Sequence, residues 1–147
     1  MNQLSVPSNQ VVCGHYSKSE YRVGVVDLER YMVDELTHIE PEIIHFFADG
    51  MYGRQMTLIA GGVVVGKIHN HQHIVVISKG SGYVMTEDGF MRYEAPFTFI
   101  SEPGTKRTIK AEEETVWLTL HTTQETDLDK IEAEVIAPDY ESLGGDA

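Results

Sequence analysis

The sequence predicts a mainly β protein, an antiparallel sandwich or barrel with one amphipathic helix on its N-terminal side. Two observations predict it. After Pro41, short runs rich in β-branched and aromatic residues alternate with the turn signals Asp49-Gly50, Gly61-Gly62, Lys79-Gly80, Asp88-Gly89 and Pro103-Gly104. Close, fairly even turns of this kind mark antiparallel all-β folds. Before Pro41, apolar residues recur instead at three- and four-residue steps, the period of a helix face.

A chain of 147 residues suits one domain with one core. It divides by texture into an N-terminal arm (1–22), a helix plus barrel (23–124) and an acidic tail (125–147). The arm is polar and without clear period, so it reads as irregular. Cys13 and His15 lie in it with no partner nearby in sequence and are expected to be structural or incidental. The helix is expected over Asp27–Ile39. Leu28, Tyr31, Met32, Leu36 and Ile39 form its apolar stripe, and Asp27 is its N-cap. Pro41 stops it by disfavouring helical geometry at Glu40.

Strands are expected over Glu42–Phe47, Met51–Ile59, Val63–Ile68, His71–Ser78, Gly82–Thr86, Phe90–Tyr93, Thr98–Ile100, Thr105–Lys110 and Thr115–Thr122. Glu87-Asp88-Gly89 reads as a tight hairpin. Leu128 to Ile136 reads as a strand or a short helix, and its period does not choose.

Charge and composition exclude several classes. A net charge of −12 opposes binding to nucleic-acid backbones and to anionic membrane surfaces. No run of 18 apolar residues exists, so no membrane-spanning helix is expected. Met1 to Ser5 lacks the basic and apolar regions of a signal peptide, and the single Cys13 cannot form an internal disulfide. A cytosolic setting is expected. The tail carries Glu125, Asp127, Asp129, Glu132, Glu134, Asp139, Glu141 and Asp146 against Lys130 and reads as a solvated face.

The chemistry concentrates at Gly66-Lys67-Ile68-His69-Asn70-His71-Gln72-His73. Three of the seven histidines alternate here. In a regular strand, side chains at i, i+2 and i+4 share a face. His69, His71 and His73 then line one surface that Val75 and Ile77 continue as an apolar floor. Imidazole is a common neutral ligand for first-row metals, so this surface is a candidate site for a divalent transition metal. The alternative is a polar barrel lining that binds no metal. His38 and His45 are expected to be structural, His38 near a helix C-terminus where positive charge is favoured.

From roughly Tyr52 to His121 the pattern resembles the cupin superfamily of jelly-roll barrels. Gly66, His69, His71 and Gly80 stand in the order of that family's first motif, with His73 where a glutamate is usual. Glu102-Pro103-Gly104-Thr105-Lys106-Arg107 matches its second motif, with Arg107 in the place of a histidine. More narrowly, the chain looks like small cupin-like proteins encoded by tailed bacteriophages, on His45 to Arg54, the His69–Gly80 stretch, Ser101 to Arg107 and Glu114 to His121. The resemblance implies a cupin-like antiparallel jelly-roll barrel, with host cytoplasm or the virion as setting and other phage structural proteins as partners. In jelly rolls the last strand can lie across the barrel from the first motif, which makes His121 a further candidate ligand. His69 and His73 are expected to face inward with His121 close by, and His71 stands in reserve in case a bulge at Asn70 turns it out. On the last strand Trp117, Thr119 and His121 share one face and Val116, Leu118 and Leu120 the other. Which is interior is left open.

Arg54 and Arg107 offer a second kind of site. A guanidinium fork suits carboxylate or phosphate, so a small anionic ligand is expected if both enter the barrel. The alternative is that each pairs with one of the many carboxylates. No P-loop, GxSxG or paired-cysteine signature is present. Two classes remain: a barrel that binds a ligand or assembles as a homo-oligomer, and a metal-dependent small-molecule enzyme. Val63-Val64-Val65 and Ile74-Val75-Val76-Ile77, apolar on both faces, favour a homo-oligomer.

Overall fold

Ser17 and Glu20 start the first helix. The Ser17 hydroxyl accepts from the Glu20 amide at 3.2 Å, and the Glu20 carboxylate accepts from the Ser17 amide at 2.7 Å, a reciprocal capping box. The computed structural model describes residues 11–12 and 16–143, so Cys13 and His15 lie outside the described residues. The helix, α1, runs Lys18–Glu35 with Leu36 as its C-cap, not Asp27–Ile39 as expected. Its phase differs too. Tyr21 and Val25 are its buried residues, while Tyr31, Leu36 and Ile39 of the expected stripe are exposed. The Tyr21 hydroxyl fixes that phase by donating to the carbonyls of Lys106 (2.7 Å) and Met85 (2.9 Å). Ion pairs Arg22–Glu87 (3.0 Å) and Lys106–Glu29 (2.9 Å) add to the attachment. His38 stands beyond the helix, exposed and bonded to Glu40, so it plays no part at the helix terminus.

The strands are β1 (Val11–Val12), β2 (Glu42–Ala48), β3 (Met51–Leu58), β4 (Val63–Val65), β5 (Ile68–His69), β6 (His73–Lys79), β7 (Ser81–Thr86), β8 (Gly89–Glu94), β9 (Phe97–Ser101), β10 (Thr108–Ala111), β11 (Thr115–Thr122) and β12 (Ile136–Ala137). They form two five-stranded sheets, ordered β1-β8-β7-β10-β4 and β2-β3-β11-β6-β9, and a small β12-β5 pair. Every pairing is antiparallel. The mainly β, jelly-roll-like fold is as expected, with its core between the sheets on Met56, Val75, Ile77, Val84, Tyr93, Ile109 and Trp117. This decides the face left open on β11: Trp117, Thr119 and His121 are buried and point inward.

The expected strand from His71 breaks at its start. Asn70 and His71 form a bend, and β6 begins only at His73. The undecided stretch from Leu128 is a helix and then a strand. Asp127 caps α2 (Leu128–Val135) by accepting from the amides of Asp129 and Lys130. Its acidic residues are exposed as expected, but Ile131 and Val135 are buried, so the segment is more than a solvated face. It continues into β12, which pairs Ile136 with His69 and Ala137 with Ile68.

Ile131 is 2% exposed, so Ile131→Ala should cost about 2–4 kcal/mol by cavity formation. Because α2 leads into β12, amide exchange at His69 and Asn70 should also quicken. Urea denaturation and hydrogen-exchange measurements test both effects. Normal protection at His69 in the variant would separate α2 from the site.

Candidate metal centre

The turn at Pro103-Gly104 is the local device that brings the two motifs together. Gly104 takes a φ of +82°, open to glycine at little cost, and its amide donates to the His69 carbonyl at 2.9 Å. The Gly66 amide donates to the Arg107 carbonyl, and the Asn70 amide to Val135 on α2, each at 2.8 Å. Together with the β5–β12 pairing these bonds clamp His69 from both sides. His73 opens β6 opposite Ser101, and His121 lies opposite Tyr52 on β3.

The three rings converge. Ring centroids are 4.3 Å apart for His69–His73, 4.6 Å for His73–His121 and 5.1 Å for His69–His121. One nitrogen of each lies within 4.8 Å of the others. Nitrogens on a tetrahedral ion at about 2.1 Å stand about 3.4 Å apart, so binding would draw these rings closer than the 4.8 Å limit they now meet. His71, in contrast, is turned out to solvent by the bend at Asn70. Its carbonyl accepts from His73 Nδ1 at 3.3 Å, which leaves His73 Nε2 free with its lone pair.

Burial sets the electrostatics. Desolvation, helped by the charges of its neighbours, pushes His69 down to about 3 and His121 down to about 4, and it lowers His73 as well. All three are therefore neutral at pH 7, the form that ligates metal. The histidines' ordinary value near 6.5 does not apply in this cavity.

Both arginines line the same cavity. Arg107 donates to Ser101 Oγ at 2.7 Å and lies over the Phe99 ring at 5.2 Å. Burial pushes its guanidinium down to about 10, still protonated at neutral pH. Among the described residues neither Arg54 nor Arg107 makes an ion pair, which removes the expected carboxylate pairing. The cavity holds about 420 Å³. Met56, Val75, Ile109 and Trp117 line its apolar part, and Leu128 and Ile131 of α2 also border it.

Tyr52 carries no expectation as a site residue, and His45 is expected to be structural; both line the cavity. Tyr52 stacks on His121 at 6.2 Å, and its hydroxyl pairs with His45 Nδ1 at 2.7 Å, so His45 belongs to the cavity wall. The available signal was the two-residue step Tyr52, Arg54, Met56, which puts all three on one face of β3.

No family model matches the sequence, and no curated protein matches it. Solved structures do match. Ectoine synthase from P. lautus aligns over 71% of this chain and 79% of its own, with 12% identity and a TM-score of 0.55. The plu4264 protein from Photorhabdus luminescens aligns over 65% of this chain and 86% of its own, with 10% identity and a TM-score of 0.52. A cupin superfamily protein from Desulfitobacterium hafniense aligns over 59% and 83%, with 10% identity and a TM-score of 0.47. For the first two, at these identities, the likeness is one of fold. None of the helices among the described residues is long and apolar enough to cross a membrane.

The residues present suit a divalent transition metal. His69 Nδ1 is buried without a hydrogen-bond partner, a costly state that a ligand would relieve. Three imidazoles also leave coordination positions open.

The depressed histidine values fix a pH dependence. The unfolded chain binds these protons near pH 6.5 and the folded chain only near 3 to 4. Stability is therefore full above pH 6.5 and is lost as pH falls toward 4. In metal-free protein Tm should decline between pH 7 and 5, above the range of most carboxylates. The double variant His69→Gln/His121→Asn should show a flatter profile by scanning calorimetry. Equal slopes in parent and variant would mean that the histidines are not the linked groups.

Proposed function

We propose that this barrel binds a small molecule at a divalent metal held by His69, His73 and His121. The observation that carries the reading is the convergence of three buried, neutral imidazoles on one cavity, with a ligand nitrogen of each inside 4.8 Å. When bound, the metal supplies Lewis-acid or redox chemistry, and this is the sense in which the chain would be an enzyme. The chain's own residues orient and exclude. The His71 carbonyl fixes the His73 tautomer. Tyr52 and His45 form a hydrogen-bonded pair beside His121 that can hold or pass a proton at the Tyr52 oxygen. The α2 residues Leu128 and Ile131 limit water.

Metal content of untagged protein tests the reading, by mass spectrometry after soaking in Zn, Mn, Fe, Co and Ni salts. The parent should retain about one ion per chain. His69→Ala, His73→Ala and His121→Ala should each lose it with the fold retained by circular dichroism, whereas His71→Ala should keep it. A parent that stays empty both with and without a dicarboxylate in the soak would end the metal reading.

A second reading, assembly as a homo-oligomer, is favoured by the outer face of the β2-β3-β11-β6-β9 sheet. Phe46, Gly53, Leu120, Ile74 and Ile100 run across all five strands in one register row. Phe46, Ile74 and Ile100 are 49%, 44% and 50% exposed. The adjacent row, Ile44, Gln55, Leu118, Val76 and Thr98, is also uncharged. On a chain of net charge −12, two uncharged rows form a face where a second copy meets no like charge, and contiguous apolar patches mark such contacts. The phage or virion setting rests on the sequence likeness alone. Light scattering should give a dimer for the parent and a monomer for Ile100→Glu, and a monomeric parent would remove this reading.

A further inference from the structure

Charge bookkeeping in the cavity leads beyond metal binding alone. Arg54 and Arg107 bring two fixed positive charges to the walls that carry the histidines. Both are felt there: Arg107 acts on His69 and His73, and Arg54 on His69 and His121. Glu132 is the carboxylate that lines the cavity, and it is already paired with Lys67. Three neutral imidazoles contribute no negative charge. A divalent ion entering alone would therefore add two positive charges beside two that have no carboxylate partner among the described residues. Like charges in a low-dielectric interior repel strongly.

We propose that metal and an organic acid enter this cavity together. The acid's carboxylate is held by the Arg107 and Arg54 forks, a second oxygen donor reaches the ion on the histidine triad, and each ligand raises the affinity of the other. The proposal rests on the metal reading above and adds the substrate class, a small organic acid with two oxygen donors. A guanidinium fork matches a planar carboxylate. The apolar wall of Met56, Val75, Ile109 and Trp117 accepts the carbon skeleton. Ser101 fixes the Arg107 fork through its 2.7 Å bond, so Arg107 is organised before any ligand arrives.

The test is calorimetric titration of Co²⁺ into metal-free protein at pH 7 in a non-coordinating sulfonate buffer, with and without malonate, corrected for malonate's own binding of cobalt. Malonate should raise cobalt affinity tenfold or more, and cobalt should raise malonate affinity by the same factor, because binding couplings are reciprocal. Arg107→Gln should act in opposite directions on the two measurements. Cobalt alone should bind tighter than to the parent, since a repelling charge is gone, and the malonate effect should shrink below threefold. Arg54→Gln gives the same signs if Arg107→Gln fails to fold. Cobalt binding that ignores both malonate and the arginine substitutions would overturn the coupling and leave the metal reading standing. Absence of cobalt binding with and without malonate would overturn both.

Discussion

A cavity lined by three neutral imidazoles and by two guanidiniums that make no ion pair among the described residues is the constraint on which the rest of the structure depends. Desolvation holds the histidines neutral, and the same desolvation makes the Arg107 charge costly to leave unmatched. Neither condition would survive in an open groove, where water would screen the arginines and let the histidines protonate near their ordinary value. The features that shut the cavity are therefore electrostatic devices as much as packing ones. Ile131 on α2 and the Gly66–Arg107 backbone bond help set the dielectric in which the side chains act.

The acidic C-terminal segment takes its importance from this. Its charges face water, but its backbone and two aliphatic side chains do structural service. β12 gives His69 an antiparallel neighbour, Val135 accepts from the Asn70 amide, and the Asn70 side chain donates to the Glu134 carbonyl. β5 consists of Ile68 and His69, too short to hold a register by itself. Without β12 the first histidine would sit on a free edge. The chain thus uses α2 and β12, both C-terminal to every ligand residue, to finish the site.

The fold was legible because turn chemistry and two-residue alternation are local signals. Asp88-Gly89 closes a hairpin of β7 and β8 as read, and β11 has its expected bounds. Among the site residues, His69 and His73 were legible from their spacing. His71, held in reserve against a bulge at Asn70, is exposed because alternation counts only while the strand is regular, and Asn70 and His71 form a bend. The outward turn of His71 had no signature stronger than a neighbouring asparagine. The helix starts earlier than its apolar stripe predicts because Ser17 and Glu20 form a capping box. That stripe is exposed because Tyr21 sets the packing phase through long-range bonds to Lys106 and Met85. Long-range partners are what a period along one segment cannot contain.

Strands β6 and β11 serve two surfaces at once, and this joins the site to the outer face. On β6, His73, Val75 and Ile77 point into the cavity side while Ile74 and Val76 point out. On β11, Trp117, Thr119 and His121 point in and Leu118 and Leu120 point out. On β3, between β2 and β11, an added Cβ at Gly53 would meet Phe46 and Leu120 at 3.3 Å, so the outer row is packed closely even where it carries no side chain of its own. A partner seated on that row would press on the backbone that aims His73 and His121. Alternation by two residues thus makes any load on one face of this sheet a load on the ligands of the other, and the register of β6 against β11 is where assembly and binding would meet.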